Sequence, residues 1–195
     1  MSTPERRSVV RRLRRKLRAL VAWLGGQVIA PRKEASHSAP ALEGIRKVLV
    51  IRIDDRVGNV LLTTPLLVAL RASLPAAEIH VLVTPKKRAL VEGLAEAVPF
   101  ARRDFFARPL AFLRSLARLR RAAYDVAIDA SHWHEFSVSS AMLLAWTRAP
   151  IRIAHARGEA ARYATHLVPA PKDALGEAET ATKLRLLSPL GIRSE

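Results

Sequence analysis

With 195 residues the chain exceeds one small domain and falls well short of two large ones, which favours a single α/β-sized domain with an appendage. Half of the residues are hydrophobic and 26% are charged, enough apolar content for a core, so collagen, a coiled coil and a wholly disordered chain are excluded. The absence of cysteine removes disulfides, thiolate metal sites and a cysteine nucleophile, while 33 Lys and Arg against 17 Asp and Glu give +16 and call for an anionic partner.

The positive charge is uneven. Residues 1–40 hold ten basic and two acidic side chains, so one fifth of the chain carries half of the excess. At 100° per residue Val9, Val10, Leu13, Leu17, Leu20, Val21 and Leu24 fall within an arc of about 120°, and Arg11, Arg12, Arg14, Arg15, Lys16 and Arg18 fill the rest. This spacing predicts a basic amphipathic helical arm over 1–30, broken at Gly25 and Gly26, then a Pro/Ser linker over 31–44. Such a helix, with Trp23 near its end, suits an anionic membrane surface, where each cation near the headgroups is worth roughly 1 kcal/mol. The alternatives are a helix docked on the body or an unstructured basic tail. Gly25 and Gly26 interrupt the apolar run that a secretory signal needs, and no stretch reaches the ~20 apolar residues of a transmembrane span. The expected location is cytoplasmic, peripheral at the inner face of the inner membrane.

Residues 45–195 form the body, which alternates strand and helix patterns. Lys47 to Ile53 is a β-branched run, Asn59 to Leu74 has helical spacing, Glu78 to Val83 is a second strand and Lys86 to Ala97 a second helix. A short third strand is expected over Pro99 to Arg102, an arginine-studded helix over Leu110 to Arg121, and an apolar strand over Asp125 to Asp129. A helix over Glu135 to Thr147, strands at Ile151 to His155 and His166 to Val168, and a last helix over Glu177 to Leu187 complete the pattern. Apolar strands separated by helices indicate a parallel sheet covered on both faces: a doubly wound, Rossmann-like α/β domain.

In such a sheet ligands bind at the carboxyl ends of the strands. After the first strand comes Asp54-Asp55-Arg56-Val57-Gly58-Asn59, with one glycine where a dinucleotide fingerprint needs three, so NAD is disfavoured and no cofactor is expected. A glycine leading into a helix still lets a phosphate or carboxylate approach the backbone. The paired carboxylates Asp54 and Asp55 suit a general base, a partner for a sugar hydroxyl or a cation ligand; the plain alternative is that one of them caps the helix. His132-Trp133-His134-Glu135 follows another strand end; its His-x-His spacing is a weak metal signal, and no metal is expected. Asp129 reads as structural.

The run KVLVIRIDDRVGNVLLTTPLLVAL, Lys47 to Leu70, resembles the opening strand, turn and helix of the family 9 glycosyltransferases, which include the ADP-heptose:lipopolysaccharide heptosyltransferases. Glu78 to Val83 resembles the family's second strand, Tyr124-Asp125-Val126-Ala127-Ile128-Asp129 its YDLVID strand, and Glu179 to Gly191 its closing helix with the LL..LG ending. The Gly-x-x-x-x-Thr-x-Pro run from Gly58 to Pro65 is the distinctive part. The resemblance implies the N-terminal, acceptor-binding half of a GT-B glycosyltransferase, with the C-terminal donor-binding half expected to be missing. It implies transfer of a sugar, with heptose the first choice, from a nucleotide sugar such as ADP-heptose to a phosphorylated, lipid-linked saccharide of lipopolysaccharide synthesis, without a metal in the chemistry. No nucleic-acid partner is expected, and aromatic content of 5% agrees.

One residue departs from the family. Where the heptosyltransferases show Gly-Asp, with that aspartate proposed as the base, this chain has Gly58-Asn59, and an amide cannot accept the proton. Asp55, then Asp54, becomes the candidate base; otherwise the acceptor differs or the chain is not catalytic. Gly58, Asn59, Thr63, Thr64, Arg102, Arg103 and His132 are the candidate substrate-binding residues. Arg108, Arg114, Arg118, Arg120 and Arg121 read as the solvated face of a helix packed by Leu110, Leu113, Leu116 and Ala117. Two other readings compete. One is a non-catalytic, membrane-associated acceptor-binding domain. The other is a phosphoacceptor receiver domain, disfavoured by the long gap between Asp54-Asp55 and Asp129 and by the lack of a lysine-proline pair near the last strand.

Overall fold

The computed structural model describes residues 42–53, 56–169 and 178–192. The arm expected over 1–30 and most of the linker expected over 31–44 lie outside the described residues. Leu42, the first of them, packs against the core, and the Ile45 N–H donates to its carbonyl, so the end of that linker belongs to the body.

A strand that reads KVLVI has no polar face to offer water and must be covered on both sides. The six strands are β1 (Lys47–Ile51), β2 (Glu78–Val83), β3 (Glu96–Pro99), β4 (Val126–Asp129), β5 (Ile151–His155) and β6 (His166–Val168). They form one all-parallel sheet in the order β3-β2-β1-β4-β5-β6, with β1 interior between β2 and β4. Alternate side chains of β1 enter separate cores. Val48 and Val50 pack with Leu66, Leu67 and Leu70 of α2 (Thr64–Ser73) and with Leu186, Leu187 and Leu190 near the C-terminus. Leu49 and Ile51 pack on the other face with Leu119, Leu143 and Leu144. The expected doubly wound Rossmann-like α/β domain is what forms.

Local chemistry redraws several boundaries. The helix expected over 59–74 is two helices, α1 (Val57–Leu61) and α2. At their joint the Thr63 hydroxyl donates to the Asn59 carbonyl at 3.0 Å and the Thr64 hydroxyl to the Leu61 carbonyl at 2.8 Å, while Pro65 brings no N–H and suits a first turn. The helix expected over 86–97 is a single 3-10 stretch, Pro85–Val91, after which Gly93 at φ +80° turns the chain into β3. That strand therefore starts at Glu96, where pairing His80 with Glu96 carries the sheet outward, rather than at Pro99. Two helices, α3 (Asp104–Ala107) and α4 (Pro109–Arg121), follow it. The next helix, α5 (Val138–Trp146), begins three residues later than expected because the Ser137 hydroxyl takes the N–H of Ser140 and caps it there. The last, α6 (Glu179–Leu184), tightens into a 3-10 stretch, Arg185–Leu190, that contains Pro189 and ends on Gly191 at φ +72°.

The packing assigned to α4 from sequence is corrected. Phe112, Leu116 and Leu119 face the sheet, whereas Leu110 and Leu113 point away from it and are 68% and 58% exposed.

The Tyr124-Asp125 pair serves the fold at the opposite rim from the strand carboxyl ends. The Asp125 carboxylate accepts from the N–H groups of Arg46 and Lys47 at 2.8 and 2.9 Å, fixing β4 beside β1. The Tyr124 hydroxyl lies 2.9 Å from His80 Nδ1. Burial raises the phenol's pKa, helped by Glu96 and Glu78. No helix among the described residues is long and apolar enough to cross a membrane.

Candidate functional site

With β1 and β4 adjacent, the chain winds outward in opposite directions from the centre of the sheet, and the loops leaving the carboxyl ends of these two strands part to leave a crevice. The residue just past β1 is Arg52. It is buried, and a guanidinium held out of water must be met by acceptors. Its Nε donates to the Asn59 carbonyl at 3.0 Å and its Nη1 to the Ala130 carbonyl at 2.6 Å, so one side chain ties the start of α1 to the end of β4. Its Nη2 stands 3.5 Å from His132 Nε2.

The loop after β4 carries the next layer. Asp129, buried at the strand end, accepts from the Ser131 N–H at 3.0 Å, the Ser131 hydroxyl at 2.6 Å and Arg157 Nη2 at 3.1 Å. Arg157, just beyond β5, also donates to the Ser131 hydroxyl at 2.6 Å. Burial lowers the Arg157 pKa and Asp129 opposes that shift. From α6, Lys183 enters with its whole side chain buried; its Nζ donates to the Ser131 carbonyl at 2.7 Å and pairs with Glu179 at 2.8 Å. Burial pushes the ammonium down to about 8 against the pull of Glu179, with Arg52 adding to the fall. Burial alone would raise Glu179, yet Lys183 and His132 together hold it below its ordinary value. His132 Nδ1 lies 3.0 Å from Glu179, and its pKa is lowered, first by burial and then by Arg52.

Among the described residues three cations, Arg52, Arg157 and Lys183, thus meet two carboxylates, Asp129 and Glu179, in one connected network. His155, at the end of β5, adds a buried imidazole for which neither ring nitrogen finds a hydrogen-bond partner among the described residues; burial lowers it to about 3. Ligand atoms of His132, His134 and Glu179 lie within 4.8 Å of one another, a spacing that would admit a metal ion. The surroundings oppose one, because Glu179 is already paired with Lys183 and Arg52 stands beside His132. The arrangement favours an anionic or hydroxyl-rich ligand. Neither described carboxylate of the network is disengaged, since Asp129 receives three donors and Glu179 is shared between Lys183 and His132.

Of the residues expected from sequence, Asp54 and Asp55 lie outside the described residues. Gly58 is exposed at the start of α1, and a Cβ built there would meet nothing within 4 Å, so the fold itself does not require glycine. Asn59 is buried, with its carbonyl taken by Arg52 and Thr63. Thr63 and Thr64 spend their hydroxyl protons on the α1–α2 joint. The helix that contains Gly58, α1, has five residues, too few for much of a macrodipole. Arg102 and Arg103 are exposed beyond β3, on the same rim but two strands from β1, which is roughly 10 Å. Among the described candidates His132 puts its side chain into the charged network, and Asn59 joins it through its carbonyl. Sequence reading missed Arg52, Arg157, Glu179 and Lys183. The signals were a lone cation inside the apolar run IRI and a Glu-Lys pair four residues apart on the last helix.

The strand order and the position of this crevice define a Rossmann-like domain with its candidate site at the carboxyl edge of a parallel sheet. No protein-family model matches the sequence, and no curated protein does. Solved structures do. A family 9 glycosyl transferase from Veillonella parvula superposes with a TM-score of 0.60 at 21% identity, over 80% of this chain and 43% of its own. The E. coli heptosyltransferase WaaC, solved with ADP-2-deoxy-2-fluoro heptose, gives 0.60 at 21% identity over 75% of this chain and 49% of its own. The E. coli ADP-heptose lps heptosyltransferase II gives 0.53 at 26% identity, covering 72% of this chain and 39% of that one. The domain has the fold found in family 9 glycosyltransferases, and it spans less than half the length of each of these neighbours.

Proposed function

We propose that this chain is the acceptor-binding half of a family 9-type glycosyltransferase, with residues 1–30 as a basic arm, 31–44 as a linker and 45–195 as the acceptor domain. The donor is a nucleotide sugar, ADP-heptose first, bound mainly by a second Rossmann-like half. The acceptor is a phosphorylated, lipid-linked saccharide of lipopolysaccharide synthesis, met at the inner face of the inner membrane. The observation that carries this reading is the buried cluster of Arg52, Arg157 and Lys183 at the β1–β4 crevice. It lies in a fold shared with heptosyltransferases, one of them solved with an ADP-heptose analogue.

In the mechanism, a carboxylate takes the proton from the acceptor hydroxyl as that oxygen attacks the anomeric carbon, and the diphosphate leaves toward positive charge. Asn59 cannot be that base. Asp55 is the first choice and Asp54 the second, because both follow the central strand. Arg52 and Lys183, buried and paired, supply fixed positive charge beneath the crevice, with Gly58 leaving the backbone open to the acceptor and Arg102 and Arg103 drawing it in from the rim. The amide at Asn59 favours one further reading, a domain that binds acceptor without transferring sugar.

The test is sugar transfer from ADP-heptose to a phosphorylated core saccharide by the purified chain, alone and with a separately supplied donor half, together with calorimetric acceptor binding. Binding without turnover by the chain alone, and turnover in the pair that falls at least about a hundredfold in Asp55→Asn, is expected. Robust turnover by the chain alone would overturn the division of labour, and no acceptor binding at all would overturn both readings. Turnover surviving Asp54→Asn and Asp55→Asn together removes them as the base.

A further inference from the structure

Seven large apolar side chains among the described residues are exposed, and four of them fall within nine residues: Phe105 at 55%, Phe106 at 86%, Leu110 at 68% and Leu113 at 58%. They are not scattered. Phe105 packs edge-on against Phe106 at 4.7 Å between ring centroids and against Phe112 at 5.4 Å, and Phe112 in turn meets the buried Phe100, so the patch is rooted in the core by a chain of rings. On α4, Leu110, Leu113 and Ala117 lie within about 60° of one another at 100° per residue, and Arg114, Arg118 and Arg121 form the adjoining strip. This second apolar stripe is separate from the Phe112, Leu116 and Leu119 stripe that meets the sheet. A helix with apolar residues on two faces, one of them turned outward beside arginines, has surface to bury elsewhere.

The charges decide what covers it. Residues 102–121 hold seven arginines and one aspartate, and Arg102, Arg103, Arg108, Arg114, Arg118 and Arg121 are exposed around the apolar side chains. The arm at the N-terminus is itself strongly basic, and a second copy would set the same arginines against one another, so both are repelled. An anionic lipid surface meets both requirements at once: acyl chains accept Phe and Leu, and phosphates accept the arginines around them.

We infer that α3 and the outer face of α4 are a membrane-docking surface of the folded domain, seated on anionic bilayers with Phe106, Leu110 and Leu113 inserted at the interface. Because α3 leaves from the carboxyl end of β3, the docked face lies on the rim at which the crevice opens. A lipid-linked ligand would then be presented to the crevice without leaving the bilayer. The surface stands on the exposed side chains and does not depend on sugar transfer.

The experiment uses the full chain and vesicles of phosphatidylcholine with or without phosphatidylglycerol. F106S/L110S/L113S, checked for unchanged circular dichroism, is expected to lower partitioning onto the anionic vesicles at least about tenfold. The indole introduced by F106W, read as the difference from the parent chain with its own Trp23, Trp133 and Trp146, is expected to be quenched by brominated acyl chains in anionic vesicles, with the quenching weakened by salt. A folded triple variant that partitions like the parent overturns the inference and leaves the arm as anchor. So does an F106W indole untouched by brominated lipid, or one already shielded from iodide without vesicles, which would mean that the arm or a second copy covers the face. If the triple variant fails to fold, the indole measurement alone decides.

Discussion

The crevice and the outer face of α4 invert the usual partition of a folded chain in opposite senses. At the crevice, charged groups are buried: Arg52, Asp129 and Lys183 are all but inaccessible. On α4, leucines face water. The first inversion is sustained by pairing, since every buried cation there meets a carbonyl or a carboxylate. The second has no internal compensation among the described residues. Buried charge is thus woven into folding, so that breaking it destabilises the domain, whereas the exposed apolar stripe can be changed without the fold noticing. That difference can be attacked from several sides.

The largest effect is expected at the Asp129–Arg157 pair. Asp129→Ala leaves a buried guanidinium without its carboxylate and the Ser131 loop without its acceptor, and should cost about 3–5 kcal/mol in urea denaturation. A loss below about 1 kcal/mol would show that the crevice network is not integral to the fold.

Lys183 should leave a signature in alkali. A folded ammonium at about 8 against an unfolded value of 10.5 means that the unfolded chain holds more protons between these two limits. Stability from this group is therefore gained as pH rises from about 8 toward 10.5. Wild type should gain roughly 2–3 kcal/mol over Lys183→Met between pH 7 and 10, other titrations cancelling in the difference. Parallel pH profiles for the two proteins would contradict this assignment.

His155 acts at the acid end. Its folded value of about 3 lies below the unfolded 6.5, so the folded state is penalised as pH falls through 6.5. Between pH 7 and 5 wild type should lose about 2 kcal/mol more than His155→Leu, measured by denaturant midpoint at each pH. The substitution itself should be near neutral at pH 7, because the imidazole has no hydrogen bond there to lose.

The smallest stability effects are expected where ligand or lipid is the partner. Leu110→Ser and Leu113→Ser should each shift stability by no more than about 0.5 kcal/mol. Gly58→Ala should likewise fold normally, since its methyl meets nothing, while weakening acceptor binding in calorimetry. A Gly58→Ala domain that melts early would place the glycine's role in the fold and not in ligand approach.

The amino-acid sequence by itself determined the class of fold, because continuous β-branched runs such as Lys47 to Ile51 admit only an interior, parallel position, and local spacing carries that information. It also directed attention to the carboxyl ends of β1 and β4, where Arg52 and His132 meet. What it could not decide was which cations and carboxylates meet there. Arg52 reaches Ala130 across 78 residues and Lys183 reaches Ser131 across 52, distances in sequence that no local pattern encodes. The two faces of α4 were misassigned for a related reason: Leu110, Leu113 and Leu116 look alike on a helical wheel, and only the position of the sheet and of Phe112 tells which of them finds a neighbour. Periodicity fixes what a segment becomes; the side on which it is buried, and the charges it meets there, are settled by the packing of distant parts of the chain.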